Sequence, residues 1–462
     1  MTQHDSRVSR ETRPRDGLYD ASEDEATQRA AFTGGDVPVA VYGLGKMGVP
    51  LAAVYADVTG NTVGVDVDPD VVETINDGRS PIKREPGLPE LVAEVVESGA
   101  LEATTDGEGA AERAAVHVLM VPTLLTDDDE PDLSIMDDVV ETVGTGLSPG
   151  DLVIVESTVP PRTTVDRFLP KLLETSGLSD GEFGVAACPE RTVSGQALAD
   201  VRGTHPKVVG GIDDESTRAA ALIYDEISSN DVVTTTDATT AEATKVFEGV
   251  YRDVNIAIAN QLAVFAEEMD IDINEAIDVA NTQPFCDIHD PGPGVGGHCI
   301  PVYPHFLSGQ FDADASLLST ARERNDDMAA YTASLTDAIL ESEGVEPDEA
   351  RVLLLGMTYK ANIAELRNTP SIPLARHLAE MGPTVYAVDP LIEDWSALDT
   401  VEPLTLEEAH DRSVDAVVLA TPHDEFTTLE WDTFDAPILD GRAAIDTEEV
   451  DAPVYTIGGP WP

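Results

Sequence analysis

Short runs of apolar and β-branched residues alternate with longer stretches of helical pattern from Val37 onward. The segment "VPVAVYGLGKMGVPLAAVYA" begins this alternation with a strand-like run, a glycine turn and an apolar stretch of helical length. Strand-like runs follow at "NTVGVDVDP", "AAVHVLMVPT", "DLVIVEST", "EFGVAACPE" and "PKVVGG". Such alternation favours a mostly parallel sheet with helices on both faces. We therefore predict an N-terminal α/β domain over residues 37–235.

The same pattern returns near the C-terminus, with runs at "ARVLLLGMTYK", "PTVYAVDP", "DAVVLATPH", "DAPILDG" and "APVYTIG". It predicts a second α/β domain over residues 346–462 and leaves a central helical domain over 236–345. Residues 238–270 contain no proline and carry apolar residues at helical spacing: Val246, Val250, Val254, Ile258, Leu262 and Phe265. We expect one long helix that joins the two halves, with an apolar face suited to a homodimer interface.

The composition is strongly acidic. Against 27 Lys and Arg stand 88 Asp and Glu, which gives a formal net charge of −61, yet 42% of residues are hydrophobic. An acidic surface over a filled core suits concentrated salt, which screens the repulsion, so we expect a halophilic protein. The charge disfavours nucleic acid and anionic membranes as partners.

Three scattered cysteines indicate a reducing compartment. Since the sequence has no membrane-spanning stretch or signal-peptide pattern, we expect a cytoplasmic location. Residues 1–36 are rich in Arg, Asp, Glu, Thr and Ser and are predicted to be a disordered tail. Only six lysines remain in the chain, so each is a candidate for a specific role: Lys46, Lys83, Lys171, Lys207, Lys245 and Lys360.

A glycine fingerprint follows the first strand-like run. Glycines at this spacing let the backbone turn tightly and approach a pyrophosphate at a helix N-terminus. The second strand ends in Asp66, close to the roughly twenty-residue offset at which an acid binds the ribose of NAD and disfavours NADP. A cofactor-free glycine turn is the alternative. The predicted NAD site comprises Gly43, Leu44, Gly45, Lys46, Met47, Gly48 and Asp66. The predicted fold class is α/β, with two Rossmann-like doubly wound domains joined by a long central helix.

Three polar residues follow later strands of the first half, where open α/β sheets bind ligands. Thr123 and Thr158 are candidates for cofactor binding, and Glu190 is a candidate for catalysis. In the second half the first turn, "GMTYKANIAELRNTP", lacks the glycine fingerprint. Lys360 and Arg367 near this turn suit a phosphate, so we predict a nucleotide-binding domain without a dinucleotide site. Structural ion pairs are the alternative for both residues.

Cys299 ends a loop rich in glycine and proline, "PGPGVGGHCIPVYPHF". Such a loop lets a ligand approach closely, and a nearby cation such as Lys245 would favour the nucleophilic thiolate. A solvated helix charge is the alternative for Lys245, against which stands the scarcity of lysine in the chain. For the cysteine, three alternatives remain: a small buried hydrophobe, a bystander in a phosphate loop, or a metal ligand with Cys286, His289 and His298. The adjacent pair of His298 and Cys299 matches no usual zinc spacing, so we expect no metal.

Seven motifs occur in order over residues 38–375: "GLGKMGVPLA", "SPIKREPGLPEL", "STVPPRTT", "CPERTVSG", "ATKVFEGVYRDVNIAIANQLA", "PGPGVGGHCIPV" and "GMTYKANIAELRNTPS". Together they resemble the nucleotide-sugar 6-dehydrogenases, the family of the UDP-glucose and UDP-N-acetylmannosamine dehydrogenases. The cysteine loop is the most specific part of the resemblance. The motifs "GGHCIPV" and "YRDVNIA" are more similar to the N-acetylmannosamine branch.

The resemblance implies a double oxidation of a sugar C6 alcohol to a carboxylate with two NAD. Cys299 would capture the aldehyde as a thiohemiacetal and carry the thioester that water hydrolyses. Lys245 would stabilise oxyanions, Glu190 would be the base for hydrolysis, and Thr123 would help position water. Residues that would hold the UDP-sugar are Arg191, Lys245, Arg252, Asn255, Gly294, Gly296, Gly297, His298, Lys360 and Arg367.

Two positions depart from the family pattern. Gly249 stands four residues after Lys245, where an Asn is common, and Tyr303 stands four residues after Cys299, where an Asp is common. The usual residues help fix the oxyanion and the hydrolytic water, so their replacement concerns hydrolysis more than the first oxidation. Tyr303 could donate one hydrogen bond in place of the acid, or a side chain from elsewhere could serve.

The favoured function is the oxidation of UDP-N-acetyl-D-mannosamine, which would supply uronate sugars for surface polysaccharides or glycans. UDP-glucose is the alternative substrate. The motif "GLGKMG" is also similar to the β-hydroxyacid dehydrogenases, which transfer one hydride. A paralogue that binds nucleotide sugar or NAD without completing the reaction is a further alternative.

Overall fold

The computed structural model describes residues 17–193, 195–426, 429–447 and 450–460. The chain divides into two compact units at residues 246 and 247. The first unit holds one α/β domain. The second unit holds the rest of the central helical region and the second α/β domain.

Within the described residues, the first unit is built on one large sheet and a small hairpin. Its strands are β1 (Val39–Tyr42), β2 (Thr62–Val65), β3 (Leu101–Thr104), β4 (Val116–Leu119), β5 (Leu124–Leu125), β6 (Pro131–Asp132), β7 (Leu152–Val155), β8 (Gly184–Ala187), β9 (Lys207–Gly211) and β10 (Val232–Thr234). β5 and β6 form the antiparallel hairpin, and the other strands form a sheet in the order β10-β9-β8-β7-β4-β1-β2-β3. All neighbours are parallel except β8 and β9.

The strand order of this sheet reverses at β1, which lies between β2 and β4. At such a switch point the crossover helices diverge and leave a crevice at the carboxyl ends of the strands. Alternate residues of β1 face opposite sides of the sheet, as the pleat requires. Val39 and Val41 pack in one hydrophobic cluster, and Ala40 and Tyr42 pack in another. Both faces are therefore covered, and the prediction of a doubly wound sheet is confirmed.

The helices of the first unit are α1 (Glu25–Thr33), α2 (Gly48–Thr59), α3 (Pro69–Asn76), α4 (Leu88–Glu97), α5 (Gly107–Arg113), α6 (Ser134–Gly146), α7 (Leu169–Ser176), α8 (Ala197–Ala199) and α9 (Asp214–Ile227). α2 is apolar along nearly its whole length and buried, since it begins directly after the glycine turn and packs on β1. It ends at Gly60, whose left-handed backbone favours glycine.

The predicted tail over residues 1–36 is partly a folded element. Residues 1–16 lie outside the described residues. Beyond them, Leu18, Tyr19 and Phe32 are buried, and the Tyr19 hydroxyl donates to Asp213 Oδ2 at 2.8 Å. Asp24 caps α1 by accepting from the Thr27 N–H. The prediction of disorder is therefore wrong for residues 17–36, because three large apolar side chains of this polar segment are buried and anchor it.

The second unit contains a six-stranded sheet in its described part. Its strands are β11 (Arg351–Leu355), β12 (Thr384–Val388), β13 (Glu402–Pro403), β14 (Ala416–Leu419), β15 (Ile438–Asp440) and β16 (Val454–Thr456). All neighbours are parallel, in the order β13-β12-β11-β14-β15-β16. The order reverses at β11 as it does at β1 in the first sheet. The second doubly wound domain is thus confirmed.

The remaining helices are α10 (Ala238–Ala263), α11 (Ala266–Met269), α12 (Ile273–Asn281), α13 (Tyr303–Ser308), α14 (Ser316–Ser342), α15 (Ser371–Met381) and α16 (Leu406–His410). α10 begins within the first unit and continues into the second. It is shorter than the single helix predicted over 238–270, because a tight turn in which the Phe265 N–H donates to the Leu262 carbonyl separates it from α11. The absence of proline did not reveal this break.

Candidate active site

The glycine turn after β1 uses its three glycines in two ways. Gly43 has a φ of +93°, and a Cβ there would lie 2.3 Å from the Met120 carbonyl oxygen. A Cβ on Gly48 would lie 1.8 Å from the Gly43 carbonyl oxygen. Gly45 has no atom within 4 Å of its Cβ position. Gly43 and Gly48 therefore allow the turn itself, while Gly45 leaves room for a ligand to approach the backbone.

Asp66 follows β2 and faces this turn. Its Oδ2 accepts the Leu44 N–H at 2.7 Å, and its Oδ1 accepts the Asp68 N–H at 3.0 Å. A carboxylate held at the switch point suits the hydroxyls of a ribose. The open Gly45 and the start of α2 suit a pyrophosphate. Of the predicted turn residues, Lys46 is exposed, and the Met47 sulfur lies 2.9 Å from the Thr192 hydroxyl oxygen. The residues present therefore fit a dinucleotide.

Thr123 and Thr158 lie together at the ends of neighbouring strands. The Thr123 hydroxyl donates to the Thr158 carbonyl at 2.7 Å. Between them, the Ser157 hydroxyl donates to the Val121 carbonyl and accepts the Val121 N–H. These bonds tie the loop after β4 to the loop after β7, so both predicted cofactor residues stand on one rigid edge of the crevice.

Glu190 lies close to Lys245, with 3.9 Å between Glu190 Oε1 and Lys245 Nζ. Both side chains are largely buried, so this weak contact is poorly screened by solvent. The other oxygen of Glu190 accepts the backbone N–H of Thr192 at 2.6 Å and also its hydroxyl. Arg191, predicted to bind substrate, donates to the Pro206 carbonyl at 2.9 Å.

A buried polar cluster lies behind Glu190. Lys207 Nζ contacts Glu156 Oε2 at 2.6 Å, and Tyr224 donates its hydroxyl to the other Glu156 oxygen. Burial raises the pKa of Glu156, although Lys207 and Tyr224 act against this shift. These side chains and Glu190 line one cavity. The sequence prediction did not include this cluster, although the scarcity of lysine and an acid at the end of the apolar run "VIVE" pointed to it.

The cysteine loop in the second unit is packed against the segment that carries Lys360 and Arg367. A Cβ on Gly296 or Gly297 would lie within 2.8 Å of Tyr359 side-chain atoms. The Gly297 N–H donates to the Arg367 carbonyl, and the Asn368 amide donates back to the Gly297 carbonyl. Close packing against Tyr359 therefore also requires glycine at both positions, and their role in substrate binding stays a prediction.

Charged residues of the two predicted substrate motifs meet in this unit. Glu365 Oε1 contacts His298 Nε2 and lies 3.8 Å from Arg367 Nε. The pKa of Lys360 is lowered by desolvation first and by the nearby charge of Arg252 second. Two cations close together in so acidic a chain are suited to an anionic ligand.

Other predicted substrate residues have structural partners. The Asn255 amide donates to the Tyr251 hydroxyl and the Asp287 carbonyl, and its oxygen accepts the His289 N–H. Gly294 has a φ of +139°, and its carbonyl accepts from Arg442 at 3.3 Å. Asn255 therefore fixes the loop that leads to the cysteine.

The three cysteines differ in exposure. Cys188 is buried, Cys286 is intermediate and Cys299 is exposed. Burial raises the pKa of the Cys188 thiol well above its usual value. Of the three, Cys299 is thus the most exposed, and its interpretation as a small buried hydrophobe is wrong. Among the residues that the structure describes, no group of His, Cys, Asp and Glu could hold a metal ion, and no helix is long and apolar enough to cross a membrane.

Three family models match the chain in succession. The NAD binding domain of the UDP-glucose/GDP-mannose dehydrogenase family matches residues 37–228, its central domain matches 239–327 and its UDP binding domain matches 353–451. The chain belongs to the UDP-glucose/GDP-mannose dehydrogenase family. The predicted resemblance is confirmed, and the protein is an NAD-dependent oxidoreductase of the nucleotide-sugar dehydrogenases.

Individual relatives cover nearly the whole dehydrogenase. The UDP-N-acetyl-D-mannosamine dehydrogenase of Pyrococcus horikoshii is 34% identical over 88% of this chain and 96% of that protein. The NDP-N-acetyl-D-galactosaminuronic acid dehydrogenase of Ralstonia solanacearum is 36% identical, over 88% and 95%.

Solved structures agree in fold. That of the UDP-D-ManNAc dehydrogenase from Pyrococcus horikoshii matches with a TM-score of 0.84 and 34% identity, over 91% of this chain and 99% of that one. That of a UDP-glucose dehydrogenase from Pyrobaculum islandicum matches with a TM-score of 0.82 and 26% identity, over 92% and 98%.

The second α/β domain of the dehydrogenase also has a glycine after its first strand and an acid after its second, but this acid is bound within the protein. Gly356, after β11, has a φ of +88°, and Asp389, after β12, accepts the Met357 N–H at 2.8 Å. The same Asp389 oxygen lies 3.0 Å from His423 Nε2. Burial raises the pKa of Asp389, but hydrogen bonds from His423 and from backbone N–H groups outweigh it, so the pKa lies below its usual value. An acid bound by a buried histidine is not available to a ribose.

Proposed function

We propose that the dehydrogenase oxidises the C6 alcohol of UDP-N-acetyl-D-mannosamine to the carboxylate in two successive steps, with Cys299 as the nucleophile. The names of the relatives with 34–36% identity favour an N-acetylhexosamine substrate. The observation that carries the mechanism is the exposed thiol of Cys299 in a chain whose Cys188 is buried.

In the proposed reaction, NAD serves as the hydride acceptor for each oxidation and binds at the glycine turn with Asp66. The thiolate of Cys299 adds to the aldehyde carbon and forms a thiohemiacetal, which holds the intermediate between the two oxidations. Loss of the second hydride gives a thioester. Water then adds to its carbonyl carbon, the C–S bond breaks, and Cys299 is released as the thiolate. One sugar thus yields two NADH and one carboxylate.

Glu190 is the proposed base that takes the proton of this water. Its Oε2 is bound by Thr192, while its Oε1 lies 3.9 Å from Lys245 and so has an accepting oxygen at the cavity. Lys245 supplies positive charge for the oxyanions, and Thr123 positions the water. Arg252, with Lys360, supplies charge for the diphosphate.

We also propose that the enzyme is a homodimer in a halophilic cytoplasm that supplies sugars for surface polysaccharides. In support of a second copy as partner, α10, α11 and the turn between them carry exposed apolar side chains: Phe247, Tyr251, Ile258, Phe265 and Met269. An apolar face of this length continues the interface that the sequence predicts on this helix. Sedimentation in molar KCl tests the dimer.

The test of the reaction is NADH stoichiometry in molar KCl with UDP-N-acetylmannosamine, UDP-N-acetylglucosamine and UDP-glucose in turn. We expect two NADH per UDP-N-acetylmannosamine, a stalled reaction in Cys299→Ser and normal turnover in the matched control Cys286→Ser. Turnover of UDP-glucose alone would overturn the substrate. One NADH per sugar would indicate the two-electron chemistry of the β-hydroxyacid dehydrogenases, and binding without turnover would indicate a non-catalytic paralogue.

A further inference from the structure

The two departures from the family motifs meet in the structure. Gly249 is buried on α10, and Tyr303 begins α13 with its ring buried. A Cβ on Gly249 would lie 2.1 Å from Tyr303 Cδ2, 2.9 Å from Cε2 and 3.0 Å from Cγ. Three atoms of one aromatic ring therefore occupy the space that any other side chain at position 249 needs. The ring cannot rotate out of this contact as a flexible side chain could, because it is enclosed.

Tyr303 is also tied to Cys299 through the backbone. Its N–H donates to the Cys299 carbonyl at 3.0 Å, and the Val302 N–H donates to the same carbonyl at 3.1 Å. Cys299 and Tyr303 are thus the two ends of one hydrogen-bonded turn that leads into α13. Val302, Tyr303 and Phe306 are buried while Cys299 is exposed. The exposed cysteine is thus followed directly by a buried apolar segment, in which the Tyr303 ring lies against Gly249 of α10.

We propose that Tyr303 is a positioning residue for Cys299, and that Gly249 is the residue that admits its ring. The ring fixes the distance between the cysteine turn and α10. Gly249 and Tyr303 therefore act as one pair, and they are not two independent departures from the family motifs. This inference rests on the proposed role of Cys299. It also assigns the tyrosine a role for its ring, not for a hydrogen bond in place of a carboxylate.

The direction in which Gly249→Ala changes stability makes the proposal testable. In a helix without tertiary contacts, Gly→Ala is stabilising because glycine has the poorer helix propensity after proline. Gly249→Ala is expected to do the opposite, since the new Cβ must displace the Tyr303 ring. Tyr303→Ala removes the ring and leaves space for that Cβ. The damage from Gly249→Ala should therefore be smaller in the Tyr303→Ala background than in the wild type.

The experiment is a double-mutant cycle of Gly249→Ala and Tyr303→Ala, made in a Cys286→Ser background so that Cys299 is the accessible thiol. Three quantities are measured: the rate of alkylation of Cys299 by iodoacetamide, kcat with the UDP-sugar, and KM for NAD. We expect Gly249→Ala to change the alkylation rate and to lower kcat at least tenfold, with KM for NAD unchanged. We expect its effect to fall at least threefold when Tyr303 is already Ala. Tyr303→Phe, which keeps the ring, should retain most of kcat.

Two outcomes would overturn the proposal. One is that the effects of the two substitutions multiply, which would mean that the residues act independently. The other is that Tyr303→Phe loses as much kcat as Tyr303→Ala, which would assign the role to the hydroxyl. If Tyr303→Ala does not fold, Tyr303→Leu replaces it, and a Gly249→Ala chain that folds only when Tyr303 is also substituted counts as the expected rescue. Full two-NADH turnover by Cys299→Ser would refute the proposed function, while the alkylation cycle would still decide whether Tyr303 positions the thiol.

Discussion

Substitution of Lys207 by Met is expected to destabilise the first unit severely. The Glu156 side chain is fully buried, and Lys207, with a side chain 14% exposed, contacts it at 2.6 Å. Tyr224 is its other partner. Removing the cation leaves a buried carboxylate with one hydroxyl donor, and removing one member of a buried pair costs about 3–5 kcal/mol. Burial already raises the pKa of Glu156, so the variant is expected to bind a proton on folding.

This loss can be expressed as a shift in melting temperature. For a unit of this size, 1 kcal/mol corresponds to about 2–4 °C, so the expected decrease in Tm is roughly 6–20 °C. Lys171→Met is the matched control. Lys171 contacts Glu141 at 2.8 Å, but the two side chains are 28% and 61% exposed. An exposed pair contributes about 0–1 kcal/mol, so the control should lose no more than about 4 °C.

Calorimetry at two KCl concentrations, both of which keep the wild type folded, distinguishes the two pairs further. Salt screens the exposed pair and barely reaches the buried one. The decrease in Tm caused by Lys207→Met should therefore be similar at both concentrations. Adding Glu156→Gln should recover part of it, because the unpaired charge is removed. Equal shifts for Lys207→Met and Lys171→Met would refute the reasoning, as would a loss that disappears in concentrated salt.

Three further predictions follow from single side chains. Burial raises the pKa of Glu242 from 4.5 to about 7. The contribution of Glu242 to the free energy of unfolding should therefore fall by about 3 kcal/mol as pH rises from about 4.5 to 7. Glu242→Gln should remove this pH dependence in denaturant titrations, and an unchanged dependence would contradict the prediction. Asp66→Ala should raise KM for NAD at least tenfold, whereas Asp389→Ala should leave it unchanged among molecules that fold. Lys360→Met should raise KM for the UDP-sugar without changing that for NAD, as measured by initial rates.

The elements that could be predicted from sequence are those in which one local pattern determines one local structure. Gly48 is required by the carbonyl of Gly43, five residues earlier, and Asp66 follows directly from the strand that precedes it. The alternation of apolar runs likewise predicted both parallel sheets. In each case the physical cause lies within about one strand, turn and helix, which a reading along the chain can cover.

The contacts that the sequence left unpredicted join residues far apart in the chain. Nothing in the local pattern pairs Gly249 with Tyr303, 54 positions later, although both stood out as departures from the family motifs. Glu156 and Lys207 meet only because β7 and β9 are neighbours of the same intervening strand. The packing of Tyr359 against the glycines of the cysteine loop was also not predicted, because Tyr359 lies in another motif.

The unequal exposure of the cysteines also determines how the enzyme should be inactivated by oxidation during storage in air. Oxidation follows accessibility and thiolate character, so Cys299 should be oxidised first, while Cys188 stays reduced in the folded chain. A stored sample should therefore lose activity in step with a gain of one oxygen on a single peptide. A thiol reductant should restore activity early, whereas the later sulfinic and sulfonic forms should not respond. The residue proposed to hold the substrate thus also makes the enzyme sensitive to peroxide.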